Sequence, residues 1–336
     1  MPQTHSLTLT GPTGLRLRVL ALGGIVAALE VPDGAGGHVD VTVGVPDTEA
    51  ARADTHYRGA LVGRVANRIR LGQAPLDGRT LALTANHGPH HLHGGAIGLH
   101  RRAWTLAPFT APHETGVTLS ATVPDGEDGY PGTLVVRVTY ALDDAGAFTV
   151  TWQAESDAPT PWAPTQHVYW NLAGRGEITG HTLQVDADAV LAIDAAQLPT
   201  GARVPVDGTP FDVRRAAPIG PRLGDPALAA THGLDHTFVL RDGARHAARL
   251  ADPATGRTLT ITTSEPALHA YTGNHLAGAP AAGGGVLPAH AGIALETGGF
   301  PDAPNHPGFP PIVLRPGAPA RSWTRFALGV AGQEKA

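Results

Sequence analysis

Glu296 ends a short apolar run, Gly292-Ile-Ala-Leu-Glu296, and is followed by Thr-Gly-Gly-Phe-Pro-Asp-Ala-Pro. A strand fixes a carboxylate in place, and a Gly- and Pro-rich segment beyond it cannot continue a ladder, which leaves room for a ligand. That is a setting for a general base, although an isolated Glu there suits a surface strand end equally well. His167 lies in Thr165-Gln-His-Val-Tyr-Trp-Asn-Leu172. In an extended segment Tyr169 falls on its face, and Val168 and Trp170 fall on the other. Both faces are then covered and the ring is shielded from bulk water. Burial and neighbouring charge tune an imidazole about its reference pKa of roughly 6.5, which suits acid–base work at neutral pH. A core histidine satisfied by its neighbours fits the same run.

Three further segments carry polar groups that can address a ligand. Tyr57 to Ile69 holds Arg64, Asn67 and Arg68 among small and apolar residues. Arg64, hemmed by Gly63 and Val65, is where a guanidinium fork best serves ligand oxygens, whereas Arg68 reads as a surface ion-pair partner. Asn86-His-Gly-Pro-His-His-Leu-His-Gly-Gly95 is dense in imidazole. If it is extended, His91 and His93 share a face, a spacing that also occurs in metal sites. No Asp or Glu follows at short ligand spacing, so His90, His91 and His93 are a weak metal set and no metal is expected. His93, placed before Gly94-Gly95, reads as a hydrogen-bonding group for sugar hydroxyls or a neighbouring carboxylate. Asp235 precedes an apolar run, His236-Thr-Phe-Val-Leu240, where turn or cap use is common for Asp.

The elements that must position these groups are strands. Leu15–Val19, Leu134–Leu142, Phe148–Ala154 and Thr258–Thr262 alternate with period two, so each buries one face. Asp143-Asp-Ala-Gly146 reads as a hairpin turn. Further strands are expected over Thr182–Val190, His236–Leu240, Ala267–Tyr271, Gly292–Glu296, Pro311–Leu314 and Trp323–Leu328. Helix is expected only around Pro46–Ala53 and Asp225–Ala230. Ala277–Gly285 reads as one long loop, and no low-complexity linker or fixed-period repeat divides the chain. So many amphipathic strands are best satisfied by two large antiparallel sheets packed face to face, in a single domain over residues 1–336.

Composition agrees and narrows the partners. The 336 residues can bury a large core. Forty-three Gly and 30 Pro with 16% charged residues favour strands and turns over helical bundles. A net charge of −5 offers no basic field for nucleic acid or an anionic membrane, so small neutral ligands are the expected partners. Without cysteine there is neither a disulfide framework nor thiolate catalysis. Lys335 is the sole Lys; the other basic residues are Arg. The N-terminal stretch lacks a basic n-region and no apolar run reaches about 18 residues, so a signal peptide and a membrane span are not expected and a cytoplasmic location is.

Several motifs together resemble the aldose 1-epimerase (galactose mutarotase) family. They are Gly63-Arg-Val-Ala-Asn-Arg-Ile69, Leu92-His-Gly-Gly95, Asp125-Gly-Glu-Asp-Gly-Tyr-Pro-Gly132, His167-Val-Tyr-Trp-Asn-Leu172, Leu198-Pro-Thr-Gly201, Gly208-Thr-Pro-Phe-Asp212, Leu234-Asp-His236, Tyr271-Thr-Gly-Asn274 and the Glu296 segment. They occur in the family's order from about Arg58 to Leu328. The resemblance implies a large antiparallel β-sandwich of the galactose mutarotase type. It also implies interconversion of the α and β anomers of free hexoses such as D-galactose and D-glucose, without a cofactor, by a monomer or homodimer. By the same resemblance Glu296 is the catalytic base, His167 the catalytic acid, and Arg64, His93 and Asp235 hold the sugar, with Asn67 and Tyr169 beside them.

Where the family commonly carries Glu-Thr-Gln or Glu-Pro-Gln, this chain has Glu296-Thr297-Gly298. In a strand the missing amide would share the face of Glu296, so the departure bears on substrate preference. Two other readings stay open. A phosphosugar epimerase of the same fold would need a phosphate cluster, for which Arg68, Arg70, Arg101 and Arg102 are the candidates. A non-catalytic sugar-binding protein would keep the pocket and lose the chemistry.

Overall fold

The computed structural model describes residues 5–241 and 246–331. Lys335 and the first four residues of the N-terminal stretch lie outside them. Two antiparallel sheets dominate. The larger has nine strands in the order Thr105–Ala111, Glu114–Val123, Leu134–Asp143, Ala147–Ser156, Ala320–Val330, Arg257–Thr263, Ala248–Ala251, Thr182–Val185 and Ala217–Pro218. The smaller has six, in the order Tyr169–Trp170, Ile293–Gly298, Ala267–Tyr271, Asp235–Leu240, Ala187–Ile193 and Pro199–Pro205. A four-stranded sheet, Ser6–Thr10 to His38–Asp40, adds to one flank.

The alternation predicted from sequence explains the layering. Leu134, Val136, Val138 and Tyr140 alternate with more exposed residues along one long strand, and Phe148, Val150, Trp152 and Ala154 do the same on its neighbour. They join Trp170, Phe238, Leu268, Ala270, Ile293 and Leu295 of the six-stranded sheet in one continuous core. All strands of the smaller sheet except the exposed edge strand Pro199–Pro205 thus present one apolar face inward, which frees their other face for polar groups. The Asp143–Gly146 turn forms as expected, with Asp143 Oδ1 accepting from Ala145 N and Ala147 N and Gly146 at φ +80.

Several elements differ from expectation. Thr182–Val190 is two strands, because Asp186 separates Thr182–Val185 of the large sheet from Ala187–Ile193 of the small one. The Glu296 strand runs two residues further, to Gly298, with all six residues buried. The helix near Pro46 is Thr48–Ala53, capped by Asp47, and the one near Asp225 is a 3-10 turn, Pro226–Thr231.

Candidate active site

Register along the six-stranded sheet assembles the site. Tyr169 lies opposite Ala294, Ala294 opposite Tyr271, and Tyr271 opposite Asp235. Two residues along, Glu296 lies opposite His269 and His269 opposite Thr237. Two steps keep the same face of a strand. Tyr169, Tyr271, Asp235, Glu296, His269 and Thr237 therefore share one face, the one turned away from the core, and His167 precedes Tyr169 on it. This face floors a cavity of about 500 Å³. Its walls come from Asp54–Tyr57, Asn67–Arg68, Asn86–His87, Leu92–His93, Arg101, Gln197 and His275.

Glu296 and His167 meet at the cavity floor, with Glu296 Oε1 3.4 Å from His167 Nε2 and both side chains about 5% exposed. His167 is held by its backbone: its N–H donates to Ala60 O, and its carbonyl accepts from Gly59 N–H, each at 2.9 Å. Gln166 braces the same turn, donating from Nε2 to Gly59 O and accepting Val168 N–H at Oε1. The ring itself is unconstrained by hydrogen bonds at Nδ1, which is buried without a partner among the described residues. No bond there fixes the tautomer, so Nε2 is able to give or take a proton toward Glu296 and the cavity.

His93 sits at φ +52, and its backbone N–H donates to Asn67 O while its Nδ1 accepts Asn67 N–H at 3.2 Å. An acceptor at Nδ1 puts the ring proton on Nε2, so His93 is a donor. Burial, with His167 and Arg68 nearby, holds its pKa well below the usual value and keeps it neutral. The left-handed turn at His93 also breaks the alternation expected of an extended segment. His91 points the other way, hydrogen-bonded to Tyr130 Oη at 2.7 Å and Thr84 O at 2.8 Å, and His90 Nδ1 accepts from Leu71 N. His90, His91 and His93 do not converge. The group able to surround an ion is instead His93, His167 and Glu296, whose ligand atoms lie within 4.8 Å of one another. With Nδ1 engaged and Nε2 protonated, His93 has no lone pair to offer, so this set suits proton transfer better than coordination.

Arg64 is placed differently from expectation. Its guanidinium donates to Pro131 O, Gly132 O, Pro124 O and Thr160 Oγ1, and the side chain lies outside the cavity walls. It ties loops together and has no reach to a ligand; burial pulls its pKa down to about 10. Arg68, read from sequence as a surface ion-pair partner, is instead a buried arginine lining the cavity, which exposed Arg101 also lines. Arg68 is 9% exposed, donates to Gln197 Oε1 and Asn67 Oδ1, and its Nε has no partner among the described residues. The physical reason is Asn67, whose φ of +59 turns the chain between the two arginines.

Asn67 and Tyr169 both line the cavity, the latter donating from its hydroxyl to His56 O at 3.1 Å. Burial lifts the Tyr169 pKa well above its usual value, so it stays a neutral phenol. Asp235 also lines it and accepts from His269 Nε2 at 2.7 Å. Burial pushes the Asp235 pKa up, but the bond from His269 and the nearby Arg68 outweigh it and hold the carboxyl below its usual value. Sequence reasoning missed His269, Tyr271 and Gln197. The first two were findable, since His269 and Tyr271 alternate on one face of a strand that sequence predicts; Gln197 arrives from a distant turn. Gly298 keeps the face of Glu296 but sits outside the cavity, where a Cβ would meet only Pro164 O at 3.2 Å.

The aldose 1-epimerase family model matches residues 5–327. The chain belongs to that family. It is 40% identical to galactose mutarotase of Rattus norvegicus over 322 residues, covering 94% of this chain and 92% of the relative. It is 33% identical to aldose 1-epimerase of Escherichia coli, over 95% and 94% of the two chains. A solved structure of an aldose epimerase homologue from C. elegans superposes with a TM-score of 0.89 at 31% identity, covering 97% of this chain and 99% of that one. This aldose 1-epimerase family member is thus an enzyme of the isomerase class on a galactose mutarotase-like sandwich. No helix among its described residues is long and apolar enough to cross a membrane.

Proposed function

We propose that the enzyme interconverts the α and β anomers of free hexoses such as D-galactose and D-glucose, with Glu296 as base and His167 as acid. The observation that carries this reading is the 3.4 Å approach of Glu296 Oε1 to His167 Nε2 on the floor of a polar cavity. Opening a pyranose removes the proton from the C1 hydroxyl, breaks the bond from C1 to the ring oxygen, and protonates that oxygen. Both oxygens sit on C1, so base and acid must stand side by side. Glu296 takes the hydroxyl proton, His167 Nε2 delivers one to the ring oxygen, and an open-chain aldehyde forms. Rotation about C1–C2 exchanges the carbonyl faces, and the reverse transfers close the other anomer. The proton count balances over the cycle without a cofactor.

The remaining hydroxyls must be held while C1 turns. His93 Nε2–H, the Asn67 amide and the Arg68 guanidinium supply donors, and the Asp235 carboxylate supplies an acceptor. Among the four arginines considered for a phosphate, Arg70 pairs with Asp194, Arg102 with Glu127, and Arg101 donates to Arg52 O. Arg68 and Arg101 both line the cavity, but Arg68 is engaged with Gln197 and Asn67 and Arg101 is exposed and donates to Arg52 O, so neither presents a free fork to a dianion, which favours neutral sugars. Polarimetry of freshly dissolved α-D-galactose and α-D-glucose, with and without chelator, tests the reading. Acceleration indifferent to chelator is expected. Acceleration of hexose 6-phosphates alone, or sugar binding without acceleration, would overturn it.

A further inference from the structure

Glu296 and His269 line the cavity floor, and Thr237 follows His269 across the sheet, each directly opposite the next in register. His269 is engaged at both ring nitrogens. Nε2 lies 2.7 Å from Asp235 Oδ1, and Nδ1 lies 2.8 Å from Thr237 Oγ1. The Asn67 amide is 3.4 Å from Nε2, at the margin of bonding. Side chains of His269 and Asp235 are 13% and 12% exposed, and Thr237 is buried. An imidazole pinned at both ends cannot rotate, so it presents one donor to Asp235 in one direction. Asp235 has no other side-chain partner near enough to fix its carboxylate among the described residues.

We propose that Thr237, His269 and Asp235 form a positioning relay that sets substrate affinity: His269 occupies Asp235 Oδ1 and aims Oδ2 at a single substrate hydroxyl. The relay stands beside the proton-transfer pair without joining it. A carboxylate free to turn would accept from two neighbouring hydroxyls in several poses, whereas one with Oδ1 fixed by the His269 donor selects one pose. Thr237 acts at one remove: the Asp235 carboxylate can only accept, which puts the ring proton on Nε2, and the Thr237 hydroxyl then donates to Nδ1 and holds the ring in that orientation. The inference rests on the mutarotase reading for its substrate, but not on its acid–base assignment.

The test is a double-mutant cycle with D-galactose, read both as KM and kcat of mutarotation and as Kd by calorimetry. His269→Leu is expected to raise KM and Kd about tenfold or more, the scale of a hydrogen bond to a charged group, with kcat altered less than about threefold. Asp235→Asn should raise them similarly, and His269→Leu should add little in that background, because the histidine acts through the carboxylate. His269→Gln keeps a donor and should recover part of the affinity; Thr237→Val should show a smaller loss of the same kind. Additive effects of His269→Leu and Asp235→Asn, or a fall in kcat with Kd unmoved, would overturn the relay. Should His269→Leu fail to fold, Thr237→Val in the two Asp235 backgrounds decides the same question. Wild type that binds D-galactose without accelerating mutarotation would sink the proposed activity while the Kd cycle still judges the relay; wild type that does not bind it would overturn both.

Discussion

Arg64 lies three residues before the left-handed residue Asn67 and Arg68 directly after it, and their side chains do different work. Removing the Arg64 guanidinium strips donors from three carbonyls and a hydroxyl in the interior. Arg64→Ala should therefore cost about 3–5 kcal/mol of stability in denaturant melts, with KM of the folded fraction nearly unchanged. Arg68→Ala should do the reverse, raising KM about tenfold or more with a smaller loss of stability. Similar changes in KM for both would contradict this division. Glu296, His167, His93, Asp235, Asn67 and Tyr169 were all legible in the sequence as residues of interest, because each sits in a segment whose pattern or family resemblance marks it. The arginine was not, because one left-handed residue, Asn67, decides which guanidinium faces the cavity. Local spacing carries no sign of that turn.

At the scale of elements, alternation located Leu134–Asp143, Ala147–Ser156 and Arg257–Thr263 within a residue or two and told which face each would bury, but it did not pick out Glu114–Val123 or Ile25–Pro32 and caught only the middle of Ala320–Val330. It could not give their order. Tyr169–Trp170, Ile293–Gly298, Ala267–Tyr271 and Asp235–Leu240 are adjacent in the sheet although scattered in the chain, and only this order places His269 between Glu296 and Thr237. Loops depend on closer fits still. Gly94, at φ +86, crosses so near the Gly63 carbonyl that a Cβ would lie 1.7 Å from its oxygen. Gly94→Ala must displace the turn that carries His93, so it should lower the melting temperature by several degrees, corresponding to about 2 kcal/mol or more, and raise KM. An unchanged melt would show that the turn has slack. Gly298, in contrast, is not among the cavity-lining residues and a Cβ there would meet only Pro164 O, so in Gly298→Gln the KM values for D-galactose and D-glucose should shift less than about threefold.

For the whole molecule, one continuous core joins both large sheets, and a single cooperative unfolding transition is expected. Its acid sensitivity follows from buried imidazoles. Burial lowers His100 and His236 to about 4 and holds His93 well below its ordinary 6.5. Groups with depressed folded pKa values bind fewer protons folded than unfolded, so their contribution is complete above about 6.5 and is lost as pH falls toward 4. Asp40, raised by burial to about 6, works in the opposite sense over that range. Three histidines outweigh one aspartate, and the melting temperature should fall between pH 7 and pH 4; a flat profile would contradict the buried neutral state of these rings. The chemistry assigned to the intact enzyme is tested most directly by polarimetry of α-D-galactose with wild type, Glu296→Gln and His167→Asn, each shown to bind the sugar. Both variants should keep Kd within about threefold and lose about 10²–10⁴-fold in kcat. Mutarotation at the wild-type rate by folded Glu296→Gln would contradict the assignment of the base.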